Sequence, residues 1–205
     1  MNYGELASKE SIGKVIASLK LCNHLPEFVE TRAEALELIK KIIPAGASVM
    51  NGSSRTLDEI GFIQYLKEGK HGWNNLHEAI LAEKDPAKQA ILRKQSVVSD
   101  FYLGSAHAIA ETGEIVIASN SGSQLPHLVY TSQNLILIVG AQKIAPDLDL
   151  AIARLKEYVL PLEDKRMKDA GMGGSFISKM LIINKEQPFV GRKSHIIFVN
   201  EKLGF

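Results

Sequence analysis

Five consecutive large aliphatic residues and a glycine, Leu135-Ile136-Leu137-Ile138-Val139-Gly140, set the strictest limit on what this chain can fold into. A strand with no polar alternation has no face to offer water, so both of its faces must be covered. The flanking sequence agrees, because strand and helix patterns alternate around it. Ile12, Val15, Ile16 and Leu19 recur at helical spacing within 8–21. Phe28-Val29 reads as a short strand, and Thr31 to Glu34 has the form of a capping box opening a helix that stops at Pro44-Ala45-Gly46. Ala47 to Met50 is a second short strand, followed by a helix containing Leu57, Ile60, Ile63 and Leu66. Residues 100–123 read as a strand, a turn at Glu111-Thr112-Gly113-Glu114, and a second strand Ile115 to Ala118. Gln124 to Tyr130 is a short helix candidate. Pro146-Asp147-Leu148 opens another helix, whose regular pattern is expected to end at Pro161. A loop is expected over 162–176, then strands at 180–184 and 195–200. The predicted fold class is α/β: a three-layer, Rossmann-like, mostly parallel sheet with flanking helices. One domain is expected over 1–205, with a helical N-terminal segment at 1–25 and a helical insertion at about 71–96.

Composition removes several function classes. The 24 basic and 23 acidic residues are balanced and form no long run, so no nucleic acid or membrane partner is expected. No apolar stretch approaches the ~20 residues needed to span a bilayer, and residues 1–11, MNYGELASKES, lack the basic start and apolar core expected of a secretion signal. Cys22 is alone, which excludes an intramolecular disulfide and a cysteine-held iron–sulfur cluster. A cytoplasmic location is the expectation. Trp73, His71 and His77 are open to two readings, packing and the lining of a cavity. No histidine pair carries a carboxylate at metal-binding spacing, so no metal site is expected. The cofactor is not legible, and no glycine fingerprint for a dinucleotide is present.

Two small-residue loops follow strands and carry the candidate chemistry. The first is Asn51-Gly52-Ser53-Ser54-Arg55-Thr56, and the second is Asn120-Ser121-Gly122-Ser123 after Ser119. Such loops let backbone N–H groups approach an anion, and the crevice beyond parallel strand ends is where α/β proteins bind ligands. If the loops converge, their hydroxyl and N–H donors, with Arg55 as a cation, form a site for a carboxylate or phosphate. Lys143, after the apolar strand, completes it in one reading and is an exposed lysine in the other. Ser105, Thr112 and Gly113 join the candidate ligand-binding set. Glu111 is the first candidate for general base or nucleophile, on the expectation that its turn lies near both loops; Asp100 is the second.

Several segments together resemble the LUD domain family: NGSSRTLDEIGF (51–62), SDFYLGSAHAIAETGEIV (99–116), SNSGSQLP (119–126), LILIVGAQKIAPDLDLAIARLK (135–156) and HIIFVNEKLGF (195–205). The resemblance implies a fold similar to ribose-5-phosphate isomerase, glucosamine-6-phosphate deaminase and coenzyme A transferases. In those proteins, strand-end loops bind phosphorylated or carboxylated ligands. It also implies a role in lactate or small organic acid utilization, beside iron–sulfur oxidoreductase subunits. Some short relatives carry cysteines near the last helix; here that region reads Ala170-Gly171-Met172-Gly173-Gly174, with none. Three functions stay open: an enzyme or enzyme-complex component acting on a small hydroxy or keto acid, a non-catalytic accessory subunit, and a cyclo-ligase-like nucleotide and folate binder. A homodimer fits a compact sheet with apolar edges.

Overall fold

In chain order the computed structural model, which describes residues 2–205, runs through α1 (Lys9–Leu21), β1 (Leu25–Val29), α2 (Arg32–Ile42), β2 (Ser48–Asn51), α3 (Arg55–Glu59), α4 (Phe62–Lys67), β3 (Asn74–Asn75), α5 (Leu76–Ala82) and α6 (Pro86–Gln95). It continues with β4 (Phe101–Gly104), β5 (Ala108–Ala110), β6 (Ile115–Ser119), β7 (Asn134–Gly140), β8 (Ile144–Ala145), α7 (Leu148–Arg154), α8 (Leu160–Asp169), β9 (Lys179–Ile183) and β10 (Lys193–Val199). Six strands form a wholly parallel sheet in the order β1-β10-β7-β4-β2-β3. The uninterrupted apolar run is therefore interior: β7 pairs with β10 on one side and β4 on the other.

Alternation along β7 divides the core. Ile136 and Ile138 face one side with Val49, Leu103, Ile197 and Val199, against Ala35 and Ile39 of α2, Leu57 of α3 and Phe62 of α4. Leu135, Leu137 and Val139 face the other with Tyr102, Ile196 and Phe198. There they meet Val15 and Leu19 of α1 and a second sheet, ordered β8-β5-β6-β9, through Ile109, Ile115 and Ile117. Burying each such aliphatic side chain is worth about 1.5–3 kcal/mol, enough to fix which face points where. The second sheet's outer side is closed by Ala151, Leu155 and Val159. The result is a Rossmann-like three-layer arrangement, with one outer layer shared between α1 and the small sheet.

Local signals placed the elements well. The capping box forms: Glu34 N donates to Thr31 Oγ1 (3.2 Å), and the Glu34 carboxylate accepts from Thr31 N (3.4 Å). Residues 108–118 form the expected antiparallel hairpin. The expected end at Pro161 is corrected. Helix continues from Leu148 to Asp169, with a wide π turn over Leu155–Val159 that ends two residues before the proline. The regular N–H ladder is already interrupted in such a turn, so a ring without an N–H enters without ending the helix. The loop expected over 162–176 therefore starts only after α8.

Candidate functional site

Parallel strands β2, β4, β7 and β10 deliver their following loops to one edge of the large sheet. Residues 51–56, 105–107, 141–143 and 200–205 therefore share one neighbourhood. Asn51 ends β2 fully buried, and its Oδ1 has no hydrogen-bond partner among the described residues. Gly52 follows because nothing larger fits: a Cβ there would collide with the Tyr102 hydroxyl and press on Gln124 Oε1. Tyr102 Oη donates to Gln124 Oε1 (3.4 Å), and Gln124 Nε2 to the Ala118 carbonyl (3.1 Å). The first loop and the stretch around the second thus do meet, through Tyr102 and Gln124. Ser54 is spent as the cap of α3, accepting from Leu57 N (3.3 Å). Arg55 Nε donates to Glu59 Oε1 (2.8 Å), and its guanidinium lies 5.0 Å from the Phe205 ring centroid.

Lys143 is the centre of this edge. A short 3₁₀ turn, Ala141–Lys143, carries it back over the strand ends, where it is 3% exposed. Its Nζ donates to Thr56 Oγ1 (3.0 Å) and Ser105 Oγ (3.1 Å), and no carboxylate lies within ion-pair distance among the described residues. Burial, and then the positive charge of Arg154, push its pKa down to about 7 against the opposing pull of Glu59. Arg154 is itself buried on α7; its Nη1 donates to the His107 carbonyl and, at 3.4 Å, to the backbone oxygen of Phe205, and its Nε–H has no acceptor among the described residues. Burial lowers its pKa to about 10, so it stays charged at neutral pH. His107 is held neutral, its pKa pushed down to about 3 by burial and then by Lys143 and Arg154, while its Nδ1 accepts from Ala118 N (3.1 Å).

The segment after β10 covers this cluster. The Leu203 carbonyl accepts from Gln142 Nε2 (2.9 Å) and Thr56 Oγ1 (3.4 Å), and Gly204 N donates to Glu59 Oε2 (2.7 Å). Gly204 has φ +63°, and a Cβ on it would stand 3.1 Å from Lys143 Nζ. A left-handed glycine is what lets the backbone lie so close to the amine.

The expected positions of several candidates are corrected. Glu111 is not beside the two loops: Ser11 Oγ donates to its Oε1 (2.6 Å) and Lys14 Nζ lies 3.6 Å from its Oε2, both on α1. Five residues, 106–110, which include all of β5, separate it from Ser105. Thr112 bonds to Glu114 rather than to any strand-end residue, and Gly113 packs on Ser18 and Cys22. Asp100 precedes β4, at the opposite edge from Ser105, where its carboxylate accepts from Ser48 N (2.8 Å) and Ser48 Oγ (2.7 Å). Those two bonds hold its pKa below the usual carboxylate range. Ser121 and Ser123 face each other (3.0 Å) on the surface, Gly122 is held by Ser119, and the Asn120 carbonyl accepts from Ser178 Oγ. Ser53 is exposed. Sequence reading missed Arg154, His107, Glu59 and Gly204. Arg154 left a signal: it falls between Ala151 and Leu155 on the apolar stripe of its helix.

Two surface depressions lie elsewhere. One of about 520 Å³, lined by Val98, Tyr130, Thr131, Gln133, Val190 and Arg192, sits at the opposite strand edge. The other, about 330 Å³, lies beside β3 and includes His71 and Trp73 but not His77. Trp73 is packed, its indole N–H donating to the Ile43 carbonyl (3.2 Å). Among the described residues no helix is long and apolar enough to cross a membrane.

Comparison with known proteins adds three findings. The family model described as LUD domain matches residues 12–199. A solved structure described as a DUF162 family protein from Deinococcus radiodurans is similar in fold, with a TM-score of 0.58 at 11% sequence identity, covering 96% of this chain and 100% of that one. A search of curated proteins gives no match.

Proposed function

This chain belongs to the LUD domain family, and from that premise we propose that it binds a small carboxylated or phosphorylated metabolite at the strand ends, in the utilization of lactate or a related organic acid. One observation carries the reading: a lysine ammonium with no counter-ion among the described residues sits between two hydroxyl groups where the loops after β2, β4 and β7 meet. A buried cation without an anion is costly, and an incoming carboxylate would supply the missing charge. Arg55, Arg154 and the hydroxyls of Thr56 and Ser105 give that anion further donors. Asn51 Oδ1 offers an acceptor for a ligand hydroxyl.

In this reading Lys143, Thr56 and Ser105 carry recognition, while Asn120 to Ser123 contribute through the junction at Gln124. Glu111 and Asp100 do not act on the ligand. The chain itself lacks the side chains for hydride or electron transfer, so oxidation would fall to iron–sulfur oxidoreductase subunits acting as partners.

The test is thermal denaturation of the purified protein with lactate, pyruvate, acetate and phosphate at pH 6 and pH 8.5. A ligand that binds only the folded state raises its midpoint. Expected is a rise with at least one carboxylate at pH 6, shrinking at pH 8.5 as the amine loses its proton, and absent in Lys143→Met. If no anion shifts the midpoint, or Lys143→Met responds like the parent, the site is elsewhere.

A further inference from the structure

We propose that Lys143 is a nucleophilic amine that forms an imine with the carbonyl carbon of a 2-oxo acid. This deepens the ligand-binding reading above and rests on it. The geometry is that of a shielded amine rather than a structural ion pair. Lys143 is 3% exposed; its Nζ is met by Thr56 Oγ1 at 3.0 Å and Ser105 Oγ at 3.1 Å, and has no carboxylate partner among the described residues. Lysines buried for structure alone are ordinarily paired. Glu59, whose negative charge does reach the amine, is committed to Arg55 (2.8 Å) and to Gly204 N (2.7 Å). Desolvation beside another cation is the arrangement that makes a lysine nucleophilic at neutral pH, and burial with the Arg154 charge does push this amine down to about 7.

The same neighbourhood selects the substrate class. An amine nucleophile requires a carbonyl. Arg154 Nε–H, buried with no acceptor among the described residues, calls for an acceptor that a carboxylate supplies. A carbonyl adjacent to a carboxylate satisfies both.

The step balances without an oxidant or reductant. The neutral amine attacks the carbonyl carbon, forming the C–N bond as the C=O π pair moves onto oxygen. A proton then passes from nitrogen to that oxygen, a transfer that the Thr56 and Ser105 hydroxyls are placed to relay. The carbinolamine loses its hydroxyl as water, taking up one further proton, and leaves a protonated imine. Access requires residues 203–205 to move, since Gly204 lies directly against the amine.

The experiment is borohydride trapping on the full chain. Protein is incubated with pyruvate, reduced with sodium borohydride, digested and mapped by mass spectrometry, with lactate as the carbonyl-free control. Expected is one dominant reduced adduct, on Lys143, at pH 7.5. Its formation rate should rise through a midpoint near 7, whereas adducts on surface lysines rise only toward pH 10.5. Wild-type protein alone decides the matter, so a misfolded variant cannot obscure it; Lys143→Met serves as a control by losing the adduct. If pyruvate and lactate both stabilise the fold but neither pyruvate nor a panel of other 2-oxo acids is trapped on Lys143, the imine proposal fails and the binding reading stands. Absence of both stabilisation and adduct defeats both.

Discussion

At the scale of single residues, Lys143 shows how position overrides type. Exposed in water, a lysine keeps its proton to about pH 10.5. Here burial and Arg154 bring that down to about 7. The folded protein thus releases a proton that the unfolded chain retains between those two values. By linkage, stability rises with pH across that window, by up to about 1.4 kcal/mol per unit. Urea denaturation of the parent and of Lys143→Met at pH 7 and pH 9 should show this. The difference between them is expected to move in the parent's favour at the higher pH, and a pH-independent difference would mean the amine is solvated. The same packing sets its neighbours: the Arg154 charge is felt at Lys143, and the charges of both are felt at His107.

Elements tell a second story, in which a loop is organised by a helix. Asp164 on α8 accepts from Ser175 N through Oδ1 (2.9 Å) and from Lys168 Nζ through Oδ2 (2.6 Å). The bend at 171–174 holds three glycines with positive φ, and one of them, Gly174, is so close that a Cβ would strike the Asp164 carboxylate. Replacing Asp164 with Ala removes the anchor without touching the core. Limited trypsin digestion should then cut after Lys168 several-fold faster than in the parent, with little change in the thermal midpoint. Equal cleavage rates would show that the loop holds itself. This anchoring was legible only in part. The glycine run announced a turn, but Pro161 suggested that the helix had already stopped, because single-residue propensity carries no information about a π turn upstream.

For the whole molecule, acid sensitivity is the property that follows from burial. His24 and His127 are pushed down to about 4, and His107 to about 3, with burial the leading cause in each. An unfolded chain takes up these protons near pH 6.5, and the folded one does so only far below. The stabilisation is complete above 6.5 and is lost as pH falls toward 4, each histidine contributing a slope of up to about 1.4 kcal/mol per pH unit. Chemical denaturation at pH 7, 6 and 5 should show a progressive fall in the midpoint. Three imidazole signals should also fail to titrate between pH 8 and 5 in NMR spectra. If all six histidines titrate near 6.5, the packing around them is looser than described.

The sequence by itself determined the layers: one strand too apolar to face water required a parallel sheet covered on both sides, and caps, turns and helical spacing located most of the remaining elements. These are local rules, acting over a few residues. Only the tertiary structure decided which side chains share a site. Thr56 and Lys143 are 87 residues apart, and they meet because β7, β4 and β2 lie side by side in the sheet. The same order leaves Asp100 at the far edge, and the hairpin of the second sheet carries Glu111 to α1. Strand order is an outcome of global packing, and no short stretch of this chain encodes it.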